Sequence, residues 1–240
     1  MSSGDPIPYA EALPVAEELR ELLAPACERI VIAGSLRRRK ALVSDVELVA
    51  EPRYYDAAEG LFDTVRRSAL DAVVATLDRR EVRLHRRDGS EEVQTRDGNA
   101  YKALAYRGLP VDLFLVRPVE CAACGRQPAG EPVADDGRQP QTAARSRACS
   151  GCPSCGSESL IGSSWGVILT IRTGPADFSR ELVTRCRTWG RRVQGGRLYV
   201  YGRYVPCPDE RTFLAEVGMP WLEPEERAPE RVKLMMGGRP

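Results

Sequence analysis

Two carboxylates two positions apart, Asp45 and Glu47, follow a Gly34-Ser35 pair after nine intervening residues, and Arg37, Arg38, Arg39 and Lys40 lie between. On a strand, residues two apart point to one face, so Asp45 and Glu47 project together while Val46 and Leu48 turn to the opposite side. Carboxylates that close repel: unit charges about 4 Å apart at an effective dielectric of about 20 cost on the order of 4 kcal/mol. A divalent ion relieves that repulsion, and a hard ion such as magnesium takes carboxylate oxygens together with nucleotide phosphates. The glycine lets backbone approach a phosphate, the Ser35 hydroxyl and neighbouring N–H groups can donate to it, and the basic run adds positive charge. A third carboxylate, Asp112, is the sole charge in the apolar run LPVDLFLV at 109–116. Burying it without a partner would cost several kcal/mol. Three carboxylates from adjacent strands are the parts of a two-ion site acting on a triphosphate. The competing reading is a hairpin whose outer face carries Asp and Glu beside a solvated basic loop.

The elements that must hold these groups can be read from periodicity. Residues 9–28 place Leu13, Val15, Ala16, Leu19, Leu22 and Leu23 at near-helical spacing, predicting a helix interrupted or started near Pro14. RIVIAGS reads as a strand ending in a turn, and VELVAE as a second strand. The spacing of Ala57, Leu61, Val65, Leu70, Val73, Val74 and Leu77 predicts an amphipathic helix over 56–78. Strand-like pieces follow, punctuated by the hairpin signals RDGS and RDGN. Further on, a helix is expected through Ile171, then a Thr-Gly-Pro turn, a second helix from about Asp177, and a short helix closed by Gly218 and Pro220 before a polar tail.

The 240 residues are 42% hydrophobic and 29% charged, with 35 basic and 34 acidic side chains, an ordinary globular balance. No apolar run approaches the roughly 18 residues of a membrane span, so no membrane partner is expected. The first residues carry neither a basic start nor an apolar core, which argues against a secretory signal and for a reducing, cytoplasmic setting. Between Arg172 and Arg203 eight arginines stand against Asp177 and Glu181, interleaved with Trp189, Tyr199, Tyr201 and Tyr204. That pattern suits phosphates and stacked bases, although a solvated face would look similar.

Of the eight cysteines, Cys121 and Cys124 in CAACG and Cys152 and Cys155 in CPSCG form two C-x2-C-G knuckles, the ligand set of a structural zinc ribbon. They fall in a Pro-, Gly-, Ser- and Arg-rich segment without apolar period. Cys149 also makes a C-x2-C with Cys152, but CPSCG is the better turn. Cys27, Cys186 and Cys207 stand alone and read as packing residues. His85, the only histidine, reads as a strand surface residue, and with no other imidazole present, Ser-His-Asp and Cys-His catalysis are excluded.

The pattern apolar-Gly34-Ser35, nine residues, Asp45-Val46-Glu47-Leu48 and a later strand Asp112 resembles the polymerase-beta-like nucleotidyltransferase superfamily. GSLRRRK followed by SDVEL is similar to the palm of the family X DNA polymerases. RTGPADFSREL resembles that family's Thr-Gly turn, and FLAEVGMPWLEPEER its C-terminal thumb ending. The resemblance implies an α+β fold: a palm over 1–117 with a mixed sheet flanked by helices, a small zinc-ribbon insert over 118–160, and an α/β thumb over 161–240. It also implies that Asp45, Glu47 and Asp112 bind two magnesium or manganese ions, Asp112 facing the primer 3′-hydroxyl. Gly34, Ser35 and Arg38 would hold the triphosphate, Thr173 and Gly174 border the sugar, and Ser179 lie near the base. Glu47 stands where family members usually have Asp, and Ile171-Arg172 where polymerase beta has an aromatic pair. Only 33 residues precede Gly34, which suggests the reduced palm-plus-thumb layout of viral members, and a host-cytoplasmic setting for a viral protein.

The expected activity is metal-dependent addition of nucleotides to a DNA 3′ end with release of pyrophosphate, by a monomer. Its partners are a nucleoside triphosphate and primer-template or gapped DNA. Two alternatives remain open: a template-independent transferase acting on RNA, protein or a small molecule, and a non-catalytic zinc-ribbon module that binds nucleic acid.

Overall fold

A computed structural model of the chain describes residues 6–59, 63–79, 81–85, 91–95, 97–116 and 164–236. The chain divides into two compact units, Met1–Val116 and Arg117–Pro240. No helix among the described residues is long and apolar enough to cross a membrane.

The first unit is built on a five-stranded mixed sheet. Its elements are β1 (Ile7–Pro8), α1 (Tyr9–Leu23), β2 (Cys27–Ile32), α2 (Gly34–Arg37), β3 (Leu42–Val43), β4 (Val46–Pro52), β5 (Tyr54–Glu59), β6 (Asp63–Ser68), α3 (Ala69–Val74), β7 (Asp78–Arg79), β8 (Glu81–His85), β9 (Glu91–Thr95), β10 (Tyr101–Tyr106) and β11 (Leu109–Leu115). The order across the sheet is β2-β4-β11-β10-β7. Only the central pair, β4 with β11, is parallel. Directly paired residues share a face, so the row Leu48↔Leu113 faces one way and the adjacent row Glu47↔Asp112 the other. Leu48 and Leu113 are fully buried in one core with Ala12, Ala16 and Leu19 of α1. The opposite face carries Glu47 and Asp112 beside the buried Val49, Ala103 and Phe114.

Pro14 lies inside α1 without ending it. It forfeits the bond to the Ala10 carbonyl, but its position is exposed, where water can reach that carbonyl. The buried stripe of Ala12, Ala16, Leu19 and Leu23 runs past it on the other side.

The helix expected over 56–78 is a correction. β5 and β6 form an antiparallel hairpin in which Ala57 pairs with Val65, so those two apolar residues meet across strands rather than along a helix. The helix is only α3, begun where Ser68 Oγ accepts from the Asp71 N–H at 3.2 Å. Tyr54 and Val65 favour strands, and the Arg66 guanidinium lies 5.0 Å from the Tyr54 ring centroid across the pair. The RDGS signal sits between β8 and β9, which do pair antiparallel, though 86–90 lie outside the described residues. At RDGN, Asp97 bridges to Lys102. β10 and β11 are joined by Arg107-Gly108, both at positive φ (47° and 78°), the two-residue turn whose twist matches its strands.

The second unit contains α4 (Trp165–Thr173), α5 (Ala176–Thr188), α6 (Glu210–Glu216) and α7 (Pro229–Met236). Between α5 and α6 lies a three-stranded antiparallel sheet of Arg191–Gln194, Arg197–Val200 and Arg203–Val205. Phe178, Leu182, Leu198, Phe213, Leu214 and Val232 are fully buried together in its core. The helix pair and the short helix before Gly218 agree with the periodicity. The polar tail does not: it contains α7, whose Val232 is buried, and Arg227, whose guanidinium is buried against Glu210 at 2.7 Å. Two more of its N–H groups reach the Leu222 carbonyl at 3.4 and 3.3 Å. A charged residue can be core when its donors are met in this way.

Candidate active site

Strand β2 delivers the chain to Gly34, where φ is +61°, a conformation that favours glycine. A Cβ at this position would overlap the Glu47 carboxylate, so a side chain here would displace that acid as well as strain the turn. The Ala33 N–H donates to the Glu47 carbonyl at 2.8 Å, fixing β2's end to β4. Ser35 follows in α2, its Oγ buried with no hydrogen-bond partner among the described residues. Arg38 caps the turn through its N–H to the Gly34 carbonyl at 3.2 Å and is half-buried, while Arg39 and Lys40 are exposed.

Glu47 and Asp112 are in direct register across β4 and β11. Both are half-buried, while Val46, Leu48, Val111 and Leu113 around them are fully buried. Asp45 stands one place before β4, in a bend, and is half-buried. Register brings Glu47 and Asp112 to one face, with the Glu47 carboxylate lying against Gly34. Among the described residues, however, no three His, Cys, Asp or Glu side chains stand close enough to hold a metal ion.

Sequence reasoning missed Tyr101. Its hydroxyl donates to Asp112 Oδ1 at 2.9 Å, and its ring stacks on Phe114 with centroids 5.2 Å apart. The signal was present in the two-residue turn: counting back from Arg107-Gly108 pairs Tyr101 with Phe114 and Ala103 with Asp112.

In the second unit, Thr173 ends α4 and is fully buried. Gly174 follows at φ −69°, so its lack of a side chain serves packing, because a Cβ would overlap the Phe178 ring. Ser179 is 9% exposed and its hydroxyl donates to the Ile171 carbonyl at 2.8 Å. The three residues are thus close together, with Ser179 bracing the turn from inside. Of the eight arginines, Arg180 pairs with Asp177 at 3.0 Å and Arg185 with Glu181 at 2.9 Å. Arg191 donates to the Glu216 carbonyl. Arg192, Tyr199 and Tyr204 form one cross-strand row, and Arg187, Arg203 and Tyr201 are exposed, Tyr201 by 80%.

Cys27, Cys186 and Cys207 are free and buried, as packing residues should be, and burial pushes each thiol up to about 12. His85 closes β8 opposite Glu91. Cys121, Cys124, Cys149, Cys152 and Cys155 lie outside the described residues.

Residues 168–228 match the family model of the DNA polymerase beta thumb. This segment is similar to a polymerase beta thumb. It spans most of α4, all of α5, the small sheet, α6 and the buried Arg227. The chain as a whole is similar in fold to the crystal structure of Leishmania infantum polymerase beta in a ternary P/T complex, with a TM-score of 0.53 and 15% identity over 95% of this chain and 78% of that one. Together the thumb and the shared fold support a polymerase-beta-like, family X relation. No curated protein matches the sequence. The mixed sheet with flanking helices agrees with the expected α+β class, and the expected zinc-ribbon insert lies outside the described residues.

Proposed function

We propose that the protein is a metal-dependent nucleotidyltransferase of the DNA polymerase type, adding nucleotides to a DNA 3′ end and releasing pyrophosphate. The observation that carries this is the register of Glu47 with Asp112 beside the Gly34-Ser35 turn. The residues suit magnesium or manganese with a triphosphate in their chemistry: hard carboxylate oxygens, a glycine whose missing side chain lets the Glu47 carboxylate lie against the turn, and the buried Ser35 hydroxyl, which has no partner among the described residues. When bound, such ions would screen the carboxylates from one another and favour attack of a hydroxyl on the α-phosphate. Asp45, Glu47 and Asp112 would hold them, and Asp112 would face the primer 3′-hydroxyl. Gly34 admits the phosphates to the backbone, Ser35 donates to them, and Arg38 balances their charge.

In the thumb, Thr173 and Gly174 border the nucleotide sugar. Ser179 acts on that turn through the Ile171 carbonyl and lies near the base. The exposed arginines Arg187 and Arg203 contact the nucleic-acid backbone, a role in keeping with the P/T complex of the Leishmania relative. Cys121, Cys124, Cys152 and Cys155 hold a structural zinc, a reading that rests on their spacing alone.

One observation favours a second reading, a nucleic-acid-binding module without catalysis: no three metal-ligating side chains converge among the described residues. Extension of gapped, blunt and single-stranded primers with each labelled nucleotide, with pyrophosphate release measured in parallel, separates the two. Catalysis requires magnesium-dependent extension; DNA binding with no pyrophosphate release favours the module.

A further inference from the structure

We infer that Tyr101 is a positioning residue for Asp112, orienting the carboxylate that the proposed active site asks to face both an ion and the primer hydroxyl. The inference rests on that reading of the site. An aspartate on a strand turns about two side-chain bonds, and each carboxylate orientation offers a different oxygen to the space above the sheet. The Tyr101 O–H holds Oδ1 at 2.9 Å, a hydrogen bond strengthened when the acceptor is ionised. The phenol cannot follow a wandering carboxylate, because its ring is stacked on Phe114 at 5.2 Å with an interplanar angle of 29°. Phe114 lies two residues beyond Asp112 on β11, on the same face, and is itself the register partner of Tyr101. Strand pairing, ring stack and hydrogen bond thus form one closed loop of three side chains, which fixes the plane of the carboxylate before any ligand arrives. Preorganisation of this kind removes a reorientation that ion binding would otherwise require.

Tyr101→Phe tests it, since it keeps the ring and the stack and removes only the hydroxyl. Binding of Mn2+ alone, read from the free-ion paramagnetic resonance signal, is expected to weaken by about fivefold to tenfold, the scale of the net contribution of one ordinary hydrogen bond. The kcat for primer extension should fall by a similar factor with the KM for nucleotide unchanged, while the melting temperature should drop by no more than the few degrees expected of one lost hydrogen bond. Phe114→Leu, which keeps the hydroxyl but loosens the ring, should weaken Mn2+ binding by a smaller factor. Asp112→Asn separates this inference from the reading beneath it. If Asp112→Asn binds Mn2+ as wild type does, the metal-site reading fails. If it loses the ion while Tyr101→Phe binds as tightly as wild type or more tightly, the site stands and the role given to Tyr101 is wrong. A lowered melting temperature with unchanged Mn2+ binding would likewise overturn it, leaving Tyr101 a purely structural residue.

Discussion

The predicted site residues of the two units face in opposite directions. In the first, register puts Glu47 and Asp112 on the face turned away from the core that Leu48 and Leu113 build. In the second, groups of the same chemical kind turn inward: Ser179 holds the Ile171 carbonyl, Thr173 is buried, and Arg227 joins Glu210 in the interior. The difference teaches that residue type and spacing nominate a site, while local hydrogen bonds decide whether a side chain is offered to a ligand or consumed by the fold.

The largest effect expected from this contrast is at Glu47. Glu47→Gln keeps size but removes the charge, and should lower the rate of primer extension by about a thousandfold with the protein still folded. A variant that extends primers normally would remove Glu47 from the chemistry. Next, Arg227→Met should cost about 3–5 kcal/mol in urea unfolding, because Glu210 is left buried without its counter-charge. Adding Glu210→Leu should recover much of that loss, and no recovery would mean that the guanidinium's bonds to Leu222 carry the stability instead.

A smaller effect belongs to Ser179. Ser179→Ala should lower stability by about 1 kcal/mol through the lost bond to Ile171. A rise in nucleotide KM at unchanged stability would show instead that the hydroxyl is turned to the ligand. The smallest effect concerns the acid side of the stability profile. Lys102, 4% exposed, donates to Asp97 at 2.6 Å and pairs with Asp71 at 3.0 Å. The hydrogen bond from Lys102, aided by the Arg79 charge, holds the Asp97 carboxyl below its ordinary value of 3.8. A depressed folded value means that Asp97 contributes stability fully above its unfolded value, and that this is lost as pH falls through the folded one. Asp97→Asn should therefore flatten the stability-pH curve below about pH 4, and an unaltered curve would show that the pair contributes nothing.

Much of the site was legible in the sequence because strands state their faces by alternation: Asp45-Val46-Glu47-Leu48 and Val111-Asp112-Leu113 each contain polar and apolar neighbours with opposite fates. The α4–α5 pair was legible from its Thr-Gly-Pro turn. The hairpin of β5 and β6 was not, since Ala57, Val65, Leu70 and Val74 fall by coincidence at intervals that also suit a helix. The buried Arg227 was hidden because a run of Glu and Arg reads as solvated, and its partner Glu210 lies 17 residues away. Tyr101 was missed because its importance comes from a neighbour across the strands.

The central claim is tested most directly by incubating the protein with gapped DNA, labelled nucleotide and magnesium, beside Asp112→Asn of equal melting temperature. The account predicts extension and stoichiometric pyrophosphate from the wild type, none on chelation, and none from the variant. Extension by Asp112→Asn at the wild-type rate would contradict it.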